Sequence, residues 1–181
     1  MASNRELALA AAVELLGTEG LRSLTHGRVD ERAGLPKGST SNYFRTRAAL
    51  LDGVLGWMLD TELPEVGAAT APRDVDELVE ALVGLYGFMM GPNRTVTAAR
   101  MVLFMEAAHD PALRDRLARG RAVMEATLRP ALARLGAPDP QLATDALAAC
   151  FEGLFLHDLG RHAEIDARPV LDLVVRAAVG K

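Results

Sequence analysis

Residues 24–47 read LTHGRVDERAGLPKGSTSNYFRTR, and this stretch decides the architecture of the N-terminal part of the chain. Thr25 stands in front of a short helical run over 26–33, where a hydroxyl can accept the free amides of a helix start. Gly34 follows at the place of a helix-ending glycine. Pro36, tolerated best in a first helical turn, opens a second short run over 36–42. Two short helices around the turn Ala33-Gly34-Leu35-Pro36 are the layout of a helix-turn-helix, whose second helix enters the major groove of DNA. The charge agrees. Between residues 20 and 47, Arg22, Arg28, Arg32, Lys37, Arg45 and Arg47 face only Asp30 and Glu31, a local net of +4 against −8 for the remainder. Ser39, Thr40, Ser41 and Asn42 fill the second run; such side chains make poor core and good partners for phosphates and base edges. The plainer reading of the same residues is a solvated helical hairpin with ordinary surface charge.

Outward from this stretch the composition predicts an all-α protein. Of 181 residues, isoleucine occurs once, at Ile165, and aromatics make up 4%, whereas Ala and Leu abound. Strands draw on β-branched and aromatic residues, and helices on Ala, Leu, Arg and Glu. Glycine and proline clusters divide the chain into helices over 4–18, 26–33, 36–42, 47–62, 74–90, 94–108, 111–136, 140–159 and 167–179. Thr46 caps the helix over 47–62, which is expected to stop before Pro64. Asp110-Pro111 and Asp139-Pro140 are paired cap and first-turn signals. Residues 64–73, PEVGAATAPR, carry no periodicity and read as a linker. The organisation expected is a small helical domain over 1–47 and a larger one over 48–181, with helix 47–62 connecting them.

Several classes are excluded by the same numbers. Apolar residues are 50% and charged residues 24%, the balance of a folded globular chain. No apolar run reaches the ~18 residues of a membrane span, so no membrane partner is expected. Glu6 and Glu14 interrupt the N-terminal apolar stretch, so no secretory leader is read there. The single cysteine, Cys150, forms no intramolecular disulfide and no cysteine-built zinc site; the expected compartment is the reducing cytoplasm. A net charge of −4 argues against a protein that coats nucleic acid indiscriminately. His109, His157 and His162 lack metal-ligand spacing, and no glycine-rich phosphate loop is present. Cys150 and His157 share a helix face without an oxyanion device, so catalysis, metal and cofactor are all expected to be absent.

AGLPKGSTSNYF followed by RTRAALLDGV strongly resembles the DNA-binding domain of the TetR (tetracycline-repressor-like) family of transcriptional regulators. Gly34, Lys37, Gly38, Tyr43, Phe44, Arg47 and Leu50 occupy the family's recurring positions, and the resemblance covers about residues 5–58. It implies a double-stranded DNA operator as partner. Thr25, Lys37 and Tyr43 would contact phosphates, and Ser39, Thr40 and Ser41 would reach base edges. Gly38 would let the recognition helix approach the groove, and Phe44 would pack beneath the motif. His26, beside Thr25, is either a surface residue or a further phosphate contact. The sequence departs from the family at Ser41 and Asn42, where an aromatic and a histidine are usual, so weaker phosphate clamping and altered readout are expected. Asp30 stands where a small apolar residue is usual, with Arg47 or a backbone amide as its expected partner.

The resemblance further implies a C-terminal antiparallel helical domain that binds a small-molecule effector and dimerises. Trp57, Phe88, Met89, Met101, Phe104, Met105, Met124, Phe151 and Phe155 supply large apolar surface for an effector pocket, with Arg100, His109, His157 and Asp158 as polar groups to orient a ligand. Met101, Phe104, Met105 and Ala108 share one helical face, which reads equally as plain core. For a homodimer, Ala146, Cys150 and Gly153 form a small-residue ridge beside His157. Val170, Leu171, Val174 and Val175 form a stripe on the last helix. The expected function is a repressor released from a palindromic operator by its effector. The alternative is a helical ligand-binding or scaffold protein that has lost operator binding.

Overall fold

The structure, a computed structural model, describes residues 2–68, 72–161 and 165–180, and only the backbone course of 63–68. The described residues form nine α-helices and one 3-10 turn, with no strand. The helices are α1 (Asn4–Glu19), α2 (His26–Ala33), α3 (Ser39–Tyr43), α4 (Arg47–Ala68), α5 (Val75–Met90), α6 (Arg94–Ala107), α7 (Pro111–Arg134), α8 (Pro140–Arg161) and α9 (Ala167–Val179), with the 3-10 turn at Leu21–Ser23 between α1 and α2.

Side-chain caps account for most of the starts. The Ser3 hydroxyl accepts from the Glu6 amide at 3.2 Å while the Ser3 amide donates to the Glu6 carboxylate at 2.7 Å, a reciprocal capping box. Thr25 accepts from the Arg28 amide, Thr46 from Ala49, Asp110 from Leu113 and Asp139 from Leu142. Among the boundaries that differ from expectation, three stand out. The third helix begins at Ser39 and not Pro36, because Gly38 at φ 92° makes residues 36–38 a turn. α4 runs through Pro64 to Ala68 and does not stop before the proline. The linker expected over 64–73 is therefore helical to residue 68, and residues 69–71 lie outside the described residues, as does His162. α7 ends at Arg134, where the amides of Leu135, Gly136 and Ala137 turn back onto the carbonyls of Ala131, Ala133 and Leu132.

Packing divides the chain into two compact units, Met1–Thr61 with Arg94–Gly120, and Glu62–Asn93 with Arg121–Lys181. This is a different partition from the chain-order division after residue 47, because α6 packs on α1. α1 lies at the heart of the first unit and buries Ala8, Leu9, Ala11, Ala12, Val13, Leu15 and Leu16. Against it lie Val96, Ala99 and Leu103 of α6 and Leu50, Val54 and Met58 of α4. The α1–α6 approach is close enough that a Cβ on Gly17 would stand 2.3 Å from the Thr95 carbonyl oxygen. In the second unit, α5 and α8 both pack on α9. α5 buries Val75, Leu78, Val79, Leu82, Tyr86 and Met89, and α9 buries Ala167, Leu171, Val175 and Val179 at i, i+4 spacing. Arg176 bridges Asp172 at 2.9 Å and Asp76 at 2.6 Å, and Arg168 pairs with Glu80, tying the rims of α5 and α9.

Candidate nucleic-acid interface

The second helix of the motif, α3, has only five residues, too few to hold itself in water. Its place is set by α2. Asp30 is 3% exposed. One oxygen of its carboxylate accepts from the Thr40 amide at 2.7 Å and the Thr40 hydroxyl at 2.5 Å, and the other accepts from the Gly38 amide at 2.7 Å. Burial opposes the charge on Asp30, but these three donors outweigh it and hold the carboxyl below its ordinary range, with His26 adding to the same side. Of its two expected partners, Asp30 thus takes the backbone amides; Arg47 donates instead to the Leu21 carbonyl at 3.0 Å. His26 Nε2–H donates to the Phe44 carbonyl at 2.6 Å, at the far end of α3. Beneath the motif the Phe44 ring is buried, with the Arg5 guanidinium 5.6 Å from its centre.

This arrangement sorts the expected DNA contacts. Thr25, Lys37, Ser41, Asn42 and Tyr43 are exposed, Tyr43 by 48%. Thr25 spends only its acceptor on the cap, so its O–H is free to donate to a phosphate. Ser39 and Gly38 are half-buried. The Ser39 hydroxyl donates to Pro36 at 2.6 Å and the Ser41 hydroxyl to Gly38 at 2.9 Å, and each oxygen keeps acceptor capacity. Thr40 is a correction: it is fully buried with its hydroxyl given to Asp30, so it faces the protein and not a base edge. His26 is corrected in part, since its Nε2–H is committed within the motif.

The positive field is also narrower than its six residues suggest. Arg28 pairs with Glu19 at 2.5 Å, and Arg32 with Glu14 and Glu19 at 2.7 Å each, all from α1. These guanidiniums, Arg28 first, hold Glu19 below the usual carboxylate range. Arg22, Lys37 and Arg45 stand exposed.

Acid should reveal the Asp30 contacts. A carboxyl with a lowered folded pKa stabilises above its unfolded pKa and loses that contribution as pH falls through the folded value. The stability advantage of wild type over Asp30→Asn is therefore expected to be constant above about pH 5 and to shrink below about pH 4. Urea unfolding across a pH series checks this. A difference independent of pH down to about pH 2 would show that the charge contributes nothing.

An exposed recognition helix pinned inside a basic helix-turn-helix is matched by the comparisons. The model for bacterial regulatory proteins of the tetR family matches residues 8–54. The model for the tetracyclin repressor-like C-terminal domain matches residues 73–181. The chain belongs to the TetR family. It is a DNA-binding transcriptional regulator and not an enzyme. A TetR-family member from Streptomyces coelicolor A3 is 25% identical, with a TM-score of 0.79 over 98% of this chain and 99% of that one. The multidrug binding protein EbrR, complexed with ethidium, is 25% identical, with a TM-score of 0.73 over 98% and 99%. A transcriptional regulator from Rhodococcus sp. Rha1 shares the fold, with a TM-score of 0.86 at 18% identity over 98% and 97%. No curated protein matches the chain.

For this TetR-family regulator, the residues expected to meet an effector are distributed over both units. In the first, Trp57 is partly buried against the core, and Met101 and Phe104 are half-buried. Met105 is 68% exposed and His109 is exposed, so both are corrected from pocket wall to surface. The reason is that α6 turns its small face, Val96, Ala99, Leu103 and Ala107, toward the core, and not the Met101–Ala108 face. In the second unit Met89 and Phe155 are buried, and Phe88, Met124 and Phe151 half-buried. Phe155 stacks on Tyr86 at 5.8 Å, Phe151 meets both edge-on, and the Tyr86 hydroxyl donates to Asp158 at 3.2 Å. Glu62, 1% exposed, accepts from the Asn93 side-chain amide at 3.0 Å. Tyr86, Glu62 and Asn93 are not legible in the sequence as site residues, because single polar residues in apolar helices carry no periodic signal.

Of the expected dimer contacts, Ala146 is exposed, and Cys150, Gly153, His157, Val170 and Val174 are half-buried. Leu171 and Val175 are corrected: both are fully buried in their own unit, on the face of α9 that meets α5 and α8. The exposed apolar stripe is instead Leu142, Ala146, Ala149 and Leu156 on α8, running past the half-buried Gly153, with Leu173 on α9 exposed by 69%. Burial raises the Cys150 thiol above its ordinary range, which makes it a poor nucleophile. Among the described residues no group of three His, Cys, Asp or Glu is placed to hold a metal ion, and no helix is long and apolar enough to cross a membrane.

Proposed function

We propose that the protein is a repressor that occupies a palindromic operator as a homodimer and leaves it when a small molecule binds the C-terminal domain. The observation that carries this reading is the exposed polar surface of α3, with Ser41, Asn42 and Tyr43 outward and Lys37 beside them, on a helix that the rest of the motif holds rigidly. Residues 1–47 supply DNA contact, and 48–181 supply effector binding and dimerisation. Leu142 and Leu156 on α8 and Leu173 on α9 support dimerisation, since large apolar side chains left exposed to water suit a surface that meets a partner. Two motifs related by a two-fold axis read a two-fold operator. Effector control is supported by the likeness to EbrR and by the Tyr86, Phe151 and Phe155 cluster, whose rings and the Asp158 carboxylate suit a planar aromatic ligand. A gel shift on DNA from upstream of its own gene tests the reading. A retarded band with a two-fold-symmetric footprint is expected, relieved by an added aromatic ligand such as malachite green. No band at any salt concentration would favour a helical ligand-binding or scaffold protein instead.

A further inference from the structure

α2 holds both ends of α3 through two side chains one helical turn apart, His26 and Asp30. Asp30 gathers the Gly38 amide, the Thr40 amide and the Thr40 hydroxyl at the beginning of α3, and His26 holds the Phe44 carbonyl at its end. Both side chains come from one face of α2, at i and i+4. The only fully buried residue of α3 is Thr40, and its hydroxyl belongs to this set. A five-residue helix has no stability of its own to resist rotation, so its orientation on α2 is decided by these polar contacts and the buried Phe44 that follows.

We propose that His26 and Asp30 are positioning residues for operator readout: they fix the rotation of α3 and so determine which DNA sequences the protein distinguishes, without touching DNA themselves. The two kinds of DNA contact differ in tolerance. A charge such as Lys37, in the turn before α3, attracts phosphates over several ångströms, and a small tilt of the adjoining helix changes little. A hydrogen bond to a base edge fails within a few tenths of an ångström or some tens of degrees. Loosening α3 therefore removes discrimination and leaves charge-driven binding in place. This rests on DNA binding alone and is independent of effector release.

The test compares wild type, Asp30→Ala, Asp30→Asn and His26→Ala on two probes, a duplex selected by the wild-type protein from a random pool and a scrambled duplex of the same length. Each variant is assayed where circular dichroism shows it folded; if Asp30→Ala does not fold, Asp30→Asn and His26→Ala carry the comparison. Asp30→Ala should weaken the selected duplex about tenfold or more, near the worth of one good base contact, and the scrambled duplex less than about twofold, with the salt slope unchanged. Asp30→Asn, which keeps one acceptor oxygen, should recover part of the discrimination, and His26→Ala should lose less than Asp30→Ala. In the free protein, hydrogen exchange at Thr40–Phe44 should accelerate in Asp30→Ala while exchange in α4 stays put. Equal losses on both duplexes, or unchanged discrimination, would overturn the proposal, as would unchanged exchange in α3. A wild-type protein that enriches no duplex would overturn DNA recognition and this role with it.

Discussion

Gly17→Ala should destabilise the protein by about 3 kcal/mol, although the same change in an open helix stabilises by about 1 kcal/mol. The reversal of sign comes from α6. The added Cβ would stand 2.3 Å from the Thr95 carbonyl oxygen and 2.9 Å from its Cγ2, and a carbonyl oxygen cannot turn away as a flexible side chain can. α1 would have to lift from α6, along a seam that holds fully buried Leu9, Leu16, Ala99 and Leu103. Gly56→Ala is the internal control. Gly56 is an exposed helical position of α4 where a Cβ meets nothing within 4 Å, so that variant should be neutral or slightly more stable. Chemical denaturation of both variants decides. A Gly17→Ala protein as stable as Gly56→Ala would mean that α1 and α6 are not in this contact.

The second large effect is on assembly. Gly153→Arg should convert the proposed homodimer to a monomer and weaken operator binding about a hundredfold or more, because the second half-site then binds without the gain in effective concentration that a linked partner provides. A Cβ on Gly153 meets nothing within 4 Å in its own protomer, and circular dichroism checks that the arginine variant stays folded. Across a dimer seam the same side chain would bury an unpaired guanidinium against the Leu142, Ala146 and Leu156 stripe. Light scattering at micromolar protein and anisotropy of a labelled operator duplex report the two quantities. A monomeric wild type, or a dimeric Gly153→Arg protein with unaltered DNA affinity, would remove α8 from the interface.

Where a signal is local, the sequence carried it. Thr25, Thr46, Asp110 and Asp139 each cap a helix by a bond to an amide two or three residues on, and the pattern of one short window is enough to find them. The helix-turn-helix and its family were legible for the same reason. What failed depended on partners distant in sequence. Thr40 looks like its neighbours Ser39 and Ser41, and only the Asp30 carboxylate ten residues earlier turns it inward. Arg28 and Arg32 count as positive charge in a window that omits Glu14 and Glu19 of α1. On α6 the periodicity of Met101, Phe104 and Met105 is real, but the close approach at Gly17 selects the opposite face, with its small Ala99, for the core. On α9, Leu171 and Val175 belong to an apolar stripe wide enough for two partners, and the sequence does not say which side α5 takes.

The surface formed by α3 and its basic neighbours is the one assigned to DNA. The direct measurement is the salt dependence of operator affinity for wild type and Lys37→Ala, with Tyr43→Phe alongside. Lys37 is exposed beside the start of α3, so removing it should weaken binding and flatten the slope of log K against log salt by about one unit. Tyr43→Phe deletes only a neutral hydroxyl donor and should weaken binding with the slope unchanged. Unaltered affinity and unaltered slope in Lys37→Ala would contradict the assignment of this surface to DNA.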